Sequence, residues 1–267
     1  MIRILILMLL FPTISVAWNQ MPPKSIQECS IQTPYGVPES KNKLEESCRH
    51  AYAHGIDTTA KIPAWTSYTL TPDHAIGCLP RSDVFAPDQS FNPKDRAELR
   101  DYLNSGFDKG HMGPDGDMSF DLQAEYESFL LTNMVPQTHV LNAGVWKTLE
   151  TSIRAWAVQL NHDFTIYAGP IYDKNDKTIG PDKVVVPHGF YKIVIDDQTK
   201  QYAAFVFPHY GKLEKDILVY VDNVENIEKQ TGISFKLPKD GKELNKSEVW
   251  PADIGKLAKD KKIKCAK

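Results

Sequence analysis

Apolar side chains at Val145, Leu149, Ile153, Trp156, Ala157 and Leu160 recur at helical spacing, which predicts an amphipathic helix over 145–160. Elsewhere the period shortens. Residues 65–70 alternate aromatic and β-branched side chains and predict a strand. Residues 164–168 form a short apolar run closed by Gly169 and Pro170 and read as a buried strand, with further strands at 184–186, 191–195 and 202–207. A short helix is predicted over 94–103 after Asn92 and Pro93. A second, over 122–131, carries Phe129, Leu130 and Leu131 into the core, and 213–231 is helical in part. Residues 80–95 read as a loop rich in Pro and Asp, and 133–144 as irregular. The segment 18–45 is an extended, Pro-rich lead-in, and 46–56 holds His50 and His54 at i, i+4 near a helix or turn. That pair lacks the glutamate of a zinc-protease HExxH, so ordinary polar roles are expected for it.

Length and composition suit one mixed α/β or α+β domain: 267 residues, 42% hydrophobic, with no internal repeat or low-complexity tract. The formal charge of -3 argues against binding a polyanion by bulk charge. Any such substrate must be held by a local basic patch or through a metal ion. Residues 1–17 read as a signal peptide, with Arg3 before the apolar run 4–11 and a small-residue cleavage site at Ser15-Val16-Ala17. An uncleaved N-terminal anchor is the alternative. Residues 18–267 are then a single exported domain, periplasmic or secreted, with no stable membrane association. The even cysteine count in an exported chain favours disulfides, and with four cysteines three pairings are open. Cys29–Cys48, closing a short loop, with Cys78–Cys265, tying the tail to the body, is the favoured one.

The chemistry concentrates in Asp108-Lys109-Gly110-His111-Met112-Gly113-Pro114 and in a second polar series, Asn133, Pro136-Gln137, Asn142 and Glu150. Glycine lets the backbone approach a substrate closely, and histidine exchanges a proton near neutral pH. Phosphodiester hydrolysis needs a base for water, neutralisation of charge at phosphorus, and stabilisation of the leaving oxygen. His111 can serve as the base. A divalent metal can supply the other two, with Asn142 as an oxygen ligand and Glu150 accepting from a metal-bound water. Arg81, Lys109 and Arg154 are candidate phosphate-binding cations. Each residue also has an ordinary role open to it: His111 a structural histidine, Asn142 a helix cap, Glu150 and Arg154 a surface i, i+4 pair. The lysine-rich tail 256–267 reads as a solvated face. An EF-hand at Asp115 and Asp117 is excluded because Phe120 stands where its glycine is required.

Several ordered blocks carry a resemblance. Asp108-Lys109-Gly110-His111 looks like the DRGH motif of the DNA/RNA non-specific endonucleases, the ββα-metal group that includes the Serratia and Anabaena nucleases and endonuclease G. Residues 129–137 (FLLTNMVPQ) resemble that family's FLxxNxxPQ segment, and 141–150 (LNAGVWKTLE) its N-x-G-x-W-x-x-L-E helix start. Arg81 to Asp88 is similar to its RxDxFxPD loop, and 167–172 with 186–192 are similar to core strands, so the likeness is best over 60–210, after a lead-in at 18–58. The resemblance implies an α+β fold with a central antiparallel sheet flanked by helices and a ββα-metal finger. It implies, for the chain read above as exported from its leader, a Mg²⁺-dependent endonuclease (Mn²⁺ fits the same ligands) acting on DNA and RNA without sequence preference and leaving 5′-phosphate ends. His111 would be the general base and Asn142 the metal ligand. Glu150 would hold metal-bound water, Asn133 would be a site residue positioning the neighbourhood of metal and histidine, and Asp108 would organise the motif. Arg81, Lys109 and Arg154 would bind phosphate, Arg81 also stabilising the pentacoordinate state. The oligomeric state stays open, a homodimer included.

The sequence departs from the motif at Lys109, which stands for arginine and lacks its planar fork. The run after His111 is also unusually acidic. The rival readings are a catalytically weakened nucleic-acid-binding member of the same fold and a metal-dependent phosphodiesterase acting on small substrates. A histidine base with an ordinary value near about 6.5 would lose activity as pH falls through that region.

Overall fold

The computed structural model describes residues 20–266. The signal peptide read at 1–17 lies outside them. A nine-stranded sheet forms the centre. Its strands are β1 (Lys24–Ser25), β2 (Glu45–Cys48), β3 (Ala53–Asp57), β4 (Ile62–Leu70), β7 (Phe164–Ile171), β8 (Gly189–Asp196), β9 (Gln201–Pro208), β10 (Val221–Asp222) and β11 (Lys242–Glu243). The order is β1-β2-β3-β4-β7-β8-β9-β10, all antiparallel, with β11 added parallel to β9. The two strands numbered between, β5 (Asp108–His111) and β6 (Met134–Gln137), form a separate antiparallel pair.

Every residue of β7 and β8 is buried, which explains their near-continuous apolar runs. Phe164, Ile166, Phe190, Val194, Phe205 and Phe207 pack on one face with the long helix α4 (Lys147–Leu160). Tyr167, Tyr191, Ile193 and Ile195 pack on the other, under α5 (Val224–Thr231) and the N-terminal segment. Of the predicted helical stripe, Val145, Leu149, Ile153, Trp156 and Ala157 are buried as expected, whereas Leu160 at the helix end is exposed.

Several local expectations change. The lead-in is not merely extended: β1 and β2 join the sheet, and 45–57 is a hairpin in which His54 is buried and bonds Ser47. The helix expected over 94–103 is a 3₁₀ turn (Pro93–Asp95) followed by the single turn α1 (Leu99–Tyr102). The acidic run forms α2 (Asp115–Met118), and the next helix, α3 (Leu122–Ser128), stops before Phe129. The tail is α6 (Ile254–Cys265). The favoured disulfide pairing is present as Cys29–Cys48 and Cys78–Cys265. The first is buried and the second exposed.

Candidate active site

β5 and β6 pair with Asp108 opposite Gln137 and His111 opposite Met134. The chain then turns through His139–Leu141 and a wide turn at Asn142–Trp146 into α4, completing a ββα finger. Residues 133–144, expected to be irregular, therefore hold one finger strand and the helix entry. Gly110 answers a packing demand inside the finger rather than a substrate: a Cβ there would lie 2.0 Å from the Gln137 Oε1.

Three ties stitch β5 and the chain after it to the rest of the site. Asp108 Oδ2 accepts from Asn142 Nδ2 at 2.9 Å and faces His139 Nδ1 at 2.9 Å. The Trp146 indole donates to the His111 carbonyl at 3.3 Å. The Lys192 ammonium donates to the Met112 carbonyl at 3.3 Å and lies 3.8 Å from Glu150 Oε1. Asn142 caps nothing with its side chain, so the helix-cap reading does not hold. Asn133 is fully buried, accepting from the Gly113 N–H and donating to the Gly113 and Ser128 carbonyls. Its side chain positions the loop that leaves His111.

Two phenylalanines seat the cations around His111. The His111 ring meets Phe129 edge-on at 5.0 Å and Phe85 at 5.9 Å. The Arg81 guanidinium lies over Phe129 at 4.8 Å, and the Lys109 ammonium over Phe85 at 4.6 Å. The aromatic face attracts both cations and keeps them within reach of the histidine. Arg81 is also closed by carboxylates, its Nε on Asp83 at 2.6 Å and its Nη1 on Asp115. Arg154 bonds Asp117 Oδ1 at 2.6 Å, while Tyr68 donates to the other oxygen of that carboxylate. Arg154 is thus an ion-pair partner of a fully buried aspartate rather than a free phosphate cation, and it does not form the surface pair with Glu150 that i, i+4 spacing suggested.

Burial sets the protonation states. It pushes the His111 imidazole down to about 3, with the charges of Arg81 and Lys192 acting in the same direction. The ordinary histidine value expected from sequence is therefore corrected: His111 is neutral throughout the mildly acidic range. Burial pushes the Glu150 carboxyl above its usual range, opposed by Lys192 and Arg154. Burial likewise lowers the Lys192 ammonium, opposed by Glu150.

His111 Nε2 and Glu150 Oε1 are buried without a hydrogen-bond partner among the described residues. Such atoms are costly unless something completes them. Among the described residues no group of three or more His, Cys, Asp or Glu side chains is arranged to hold a metal. A cation here would therefore take few protein ligands and keep its waters, as hard Mg²⁺ does. Asn142, beside Asp108, and the unsatisfied oxygen of Glu150 fit that demand.

Lys192 was not among the residues singled out from sequence. Its signal was present: a lysine between Phe190 and Val194, on the strand face those two bury. Phe85 as a seat for Lys109, and Asp115 as the partner of Arg81, come from distant chain segments and had no local signal.

The model of the DNA/RNA non-specific endonuclease family matches residues 33–240. The mitochondrial nuclease EXOG of Xenopus laevis is 29% identical over 233 residues, covering 81% of this chain and 64% of its own. EXOG of Danio rerio is 32% identical over 218 residues, covering 75% and 63%. The nuclease of Serratia marcescens is 27% identical over 222 residues, covering 79% and 80%. A chain in the crystal structure of the EndoG/EndoGI complex superposes with a TM-score of 0.70 at 25% identity, covering 78% of this chain and 91% of that one. This chain spans just under two thirds of the length of the EXOG relatives. The expected periplasmic or secreted location is overturned by these relatives. EXOG and the matching nucleases of Schizosaccharomyces pombe and Saccharomyces cerevisiae are named as mitochondrial.

Proposed function

This chain belongs to the DNA/RNA non-specific endonuclease family, and from that membership we propose that it is a divalent-metal-dependent endonuclease that hydrolyses phosphodiester bonds of DNA and RNA. One observation carries the reading: the buried, unpartnered Nε2 of His111, held neutral beside Arg81. A neutral imidazole in that setting can take the proton of an attacking water; general-base contributions are typically of order 10²–10⁴ in rate and largest when the base is poised near the operating pH. The water oxygen bonds to phosphorus as the P–O3′ bond breaks, so the phosphate stays on the 5′ end of the downstream fragment. Arg81 balances the charge that grows on the phosphorane oxygens. Lys109 adds a cation across the Phe85 ring, and Asn133 fixes the loop that follows the base. Asn142 would ligate the cation and Glu150 would accept from its bound water, Mg²⁺ being the proposed ion and Mn²⁺ an acceptable substitute. When bound, that ion neutralises charge at phosphorus and stabilises the leaving oxygen. Recognition through phosphate and sugar leaves cleavage without sequence preference.

The test is cleavage of supercoiled plasmid and of single-stranded RNA with Mg²⁺ or with EDTA, beside a His111→Ala protein. Both substrates should be cut by the unaltered protein with Mg²⁺ only, and His111→Ala should be slower by at least about 100-fold. Equal cutting by His111→Ala, or in EDTA, would sink the reading. The closure of Arg81 on Asp115 and of Arg154 on Asp117 reduces the cations open to phosphate and favours one alternative, a member whose cutting is weakened. Binding without cutting by the folded protein would select it.

A further inference from the structure

The C-terminal helix α6 lies beyond the matched residues 33–240. It packs along α4, starting beside the C-terminal end of that helix. At its start the Asp253 N–H donates to Gln159 Oε1 at 2.6 Å. At its end Cys265 is bonded to Cys78, close before Arg81 in the chain, and Lys264 reaches Asp73 at 2.5 Å. Between these anchors Leu257 is buried. Lys261, one turn further on, takes the same inward face and is half-buried.

The helix therefore lays Lys261 against the middle of α4, where Arg154 pairs with Asp117. Asp115, Asp117 and Arg154 all act on its ammonium. Two other lysines of the helix are engaged, Lys256 with Asp260 at 2.6 Å and Lys264 with Asp73, while Lys259 and Lys262 are exposed. Lys261 closes into no ion pair with any described residue. A half-buried lysine left open beside the acidic run after the general base can offset that run's repulsion of a polyanion and contact a phosphate itself. The exposed Lys259 and Lys262 extend positive charge along the same helix.

We propose that α6, pinned by the Cys78–Cys265 disulfide, is a substrate arm of the nuclease site, and that Lys261 contacts the nucleic-acid backbone. The inference rests on the nuclease reading above.

The experiment is fluorescence anisotropy of a labelled 20-base-pair duplex with the full chain in EDTA, over roughly 50–200 mM KCl. A protein that loses one phosphate contact should show a slope of log affinity against log salt smaller by about 0.9. Lys261→Gln should show that change and bind several-fold more weakly. Lys256→Gln, the same charge change on the outward face, should leave the slope alone. Cys265→Ser, which frees the helix end, should weaken binding in the same sense as Lys261→Gln. An unchanged slope in Lys261→Gln, or an equal change in Lys256→Gln, overturns the arm while plasmid cutting by the unaltered protein keeps the nuclease reading. An unaltered protein that neither binds nor cuts overturns both.

Discussion

The carboxylate of Glu150 lies 3.8 Å from the ammonium of Lys192, and Lys192 is fully buried in the middle of a sheet row formed by Thr66, Ala168, Lys192 and Phe205. The Trp146 ring covers the ammonium at 4.3 Å. Lys192 has no route to water and Glu150 only a narrow one, so on top of burial each charge opposes the other's shift.

Removing one partner strands the other. Lys192→Met should destabilise the fold by about 3 kcal/mol, at the low end of the cost of breaking a buried pair because Glu150 can protonate instead. Without Lys192 the Glu150 carboxyl rises further. The acid limb of nuclease activity, which needs a carboxylate at Glu150, should then move to higher pH. The double change Lys192→Met with Glu150→Gln should recover part of the lost stability in urea unfolding. Additive losses would show that the two groups are uncoupled.

Acid should destabilise the protein through His111. Its folded value is pushed down to about 3, below the ordinary value, so between the two the unfolded chain binds the proton and the folded one does not. Stability therefore rises with pH across that window and falls as pH drops below about 6.5. His54, pushed down to about 4 by burial, acts with the same sign. His111→Asn should retain up to about 3 kcal/mol more of its neutral-pH stability at pH 4 than the unaltered protein does. Melting temperatures of both proteins from pH 7 to pH 4 are the measurement, and parallel curves would contradict the burial argument.

Arg81 enters the free site already bonded to Asp83 and Asp115. A substrate phosphate competes with these two carboxylates for the guanidinium, whose Nη2 is not engaged by either. Asp115→Asn removes the charge and keeps the shape. Releasing an ion pair worth about 1 kcal/mol should lower KM for plasmid DNA by about fivefold. A KM that stays level or rises would show that Asp115 orients Arg81 rather than competing for it.

The fold and the finger differed in how far they could be read in advance. The α4 stripe and the strands β4, β7, β8 and β9 were legible because periodicity and uninterrupted apolar runs are local signals. The hairpin β2–β3 was not, since Glu45, Glu46 and Ser47 carry little apolar alternation and the pairing with β4 and the Cys29–Cys48 bond hold it in place. At the site, His111, Asn142 and Glu150 stood out by residue type and spacing. Their protonation states did not, because burial by Phe85, Phe129 and Lys192 brings together chain segments far apart in sequence. Arg154 shows the reverse error: helical spacing offered Glu150 as its partner, and the fold supplies Asp117.

Asp108 would bear on a bound metal through Asn142. Its Oδ2 takes a hydrogen bond from Asn142 and faces His139, so one oxygen on the first finger strand orients the proposed ligand at the helix entry. Groups that orient a ligand in this way commonly change metal affinity by about 10–100-fold when removed. Asp108→Ala should therefore raise the Mg²⁺ concentration for half-maximal plasmid cleavage by roughly that factor. The fold should lose little, because Asp108 is half-buried and its partners stay partly solvated. A purely electrostatic role, in which the Asp108 charge attracts the cation without orienting Asn142, would weaken metal binding equally in Asp108→Asn and Asp108→Ala. A metal titration of cleavage with Asp108→Asn beside Asp108→Ala separates the two. The amide of Asp108→Asn keeps an oxygen for Asn142 and loses the charge, so recovery of metal affinity in that protein assigns the effect to orientation.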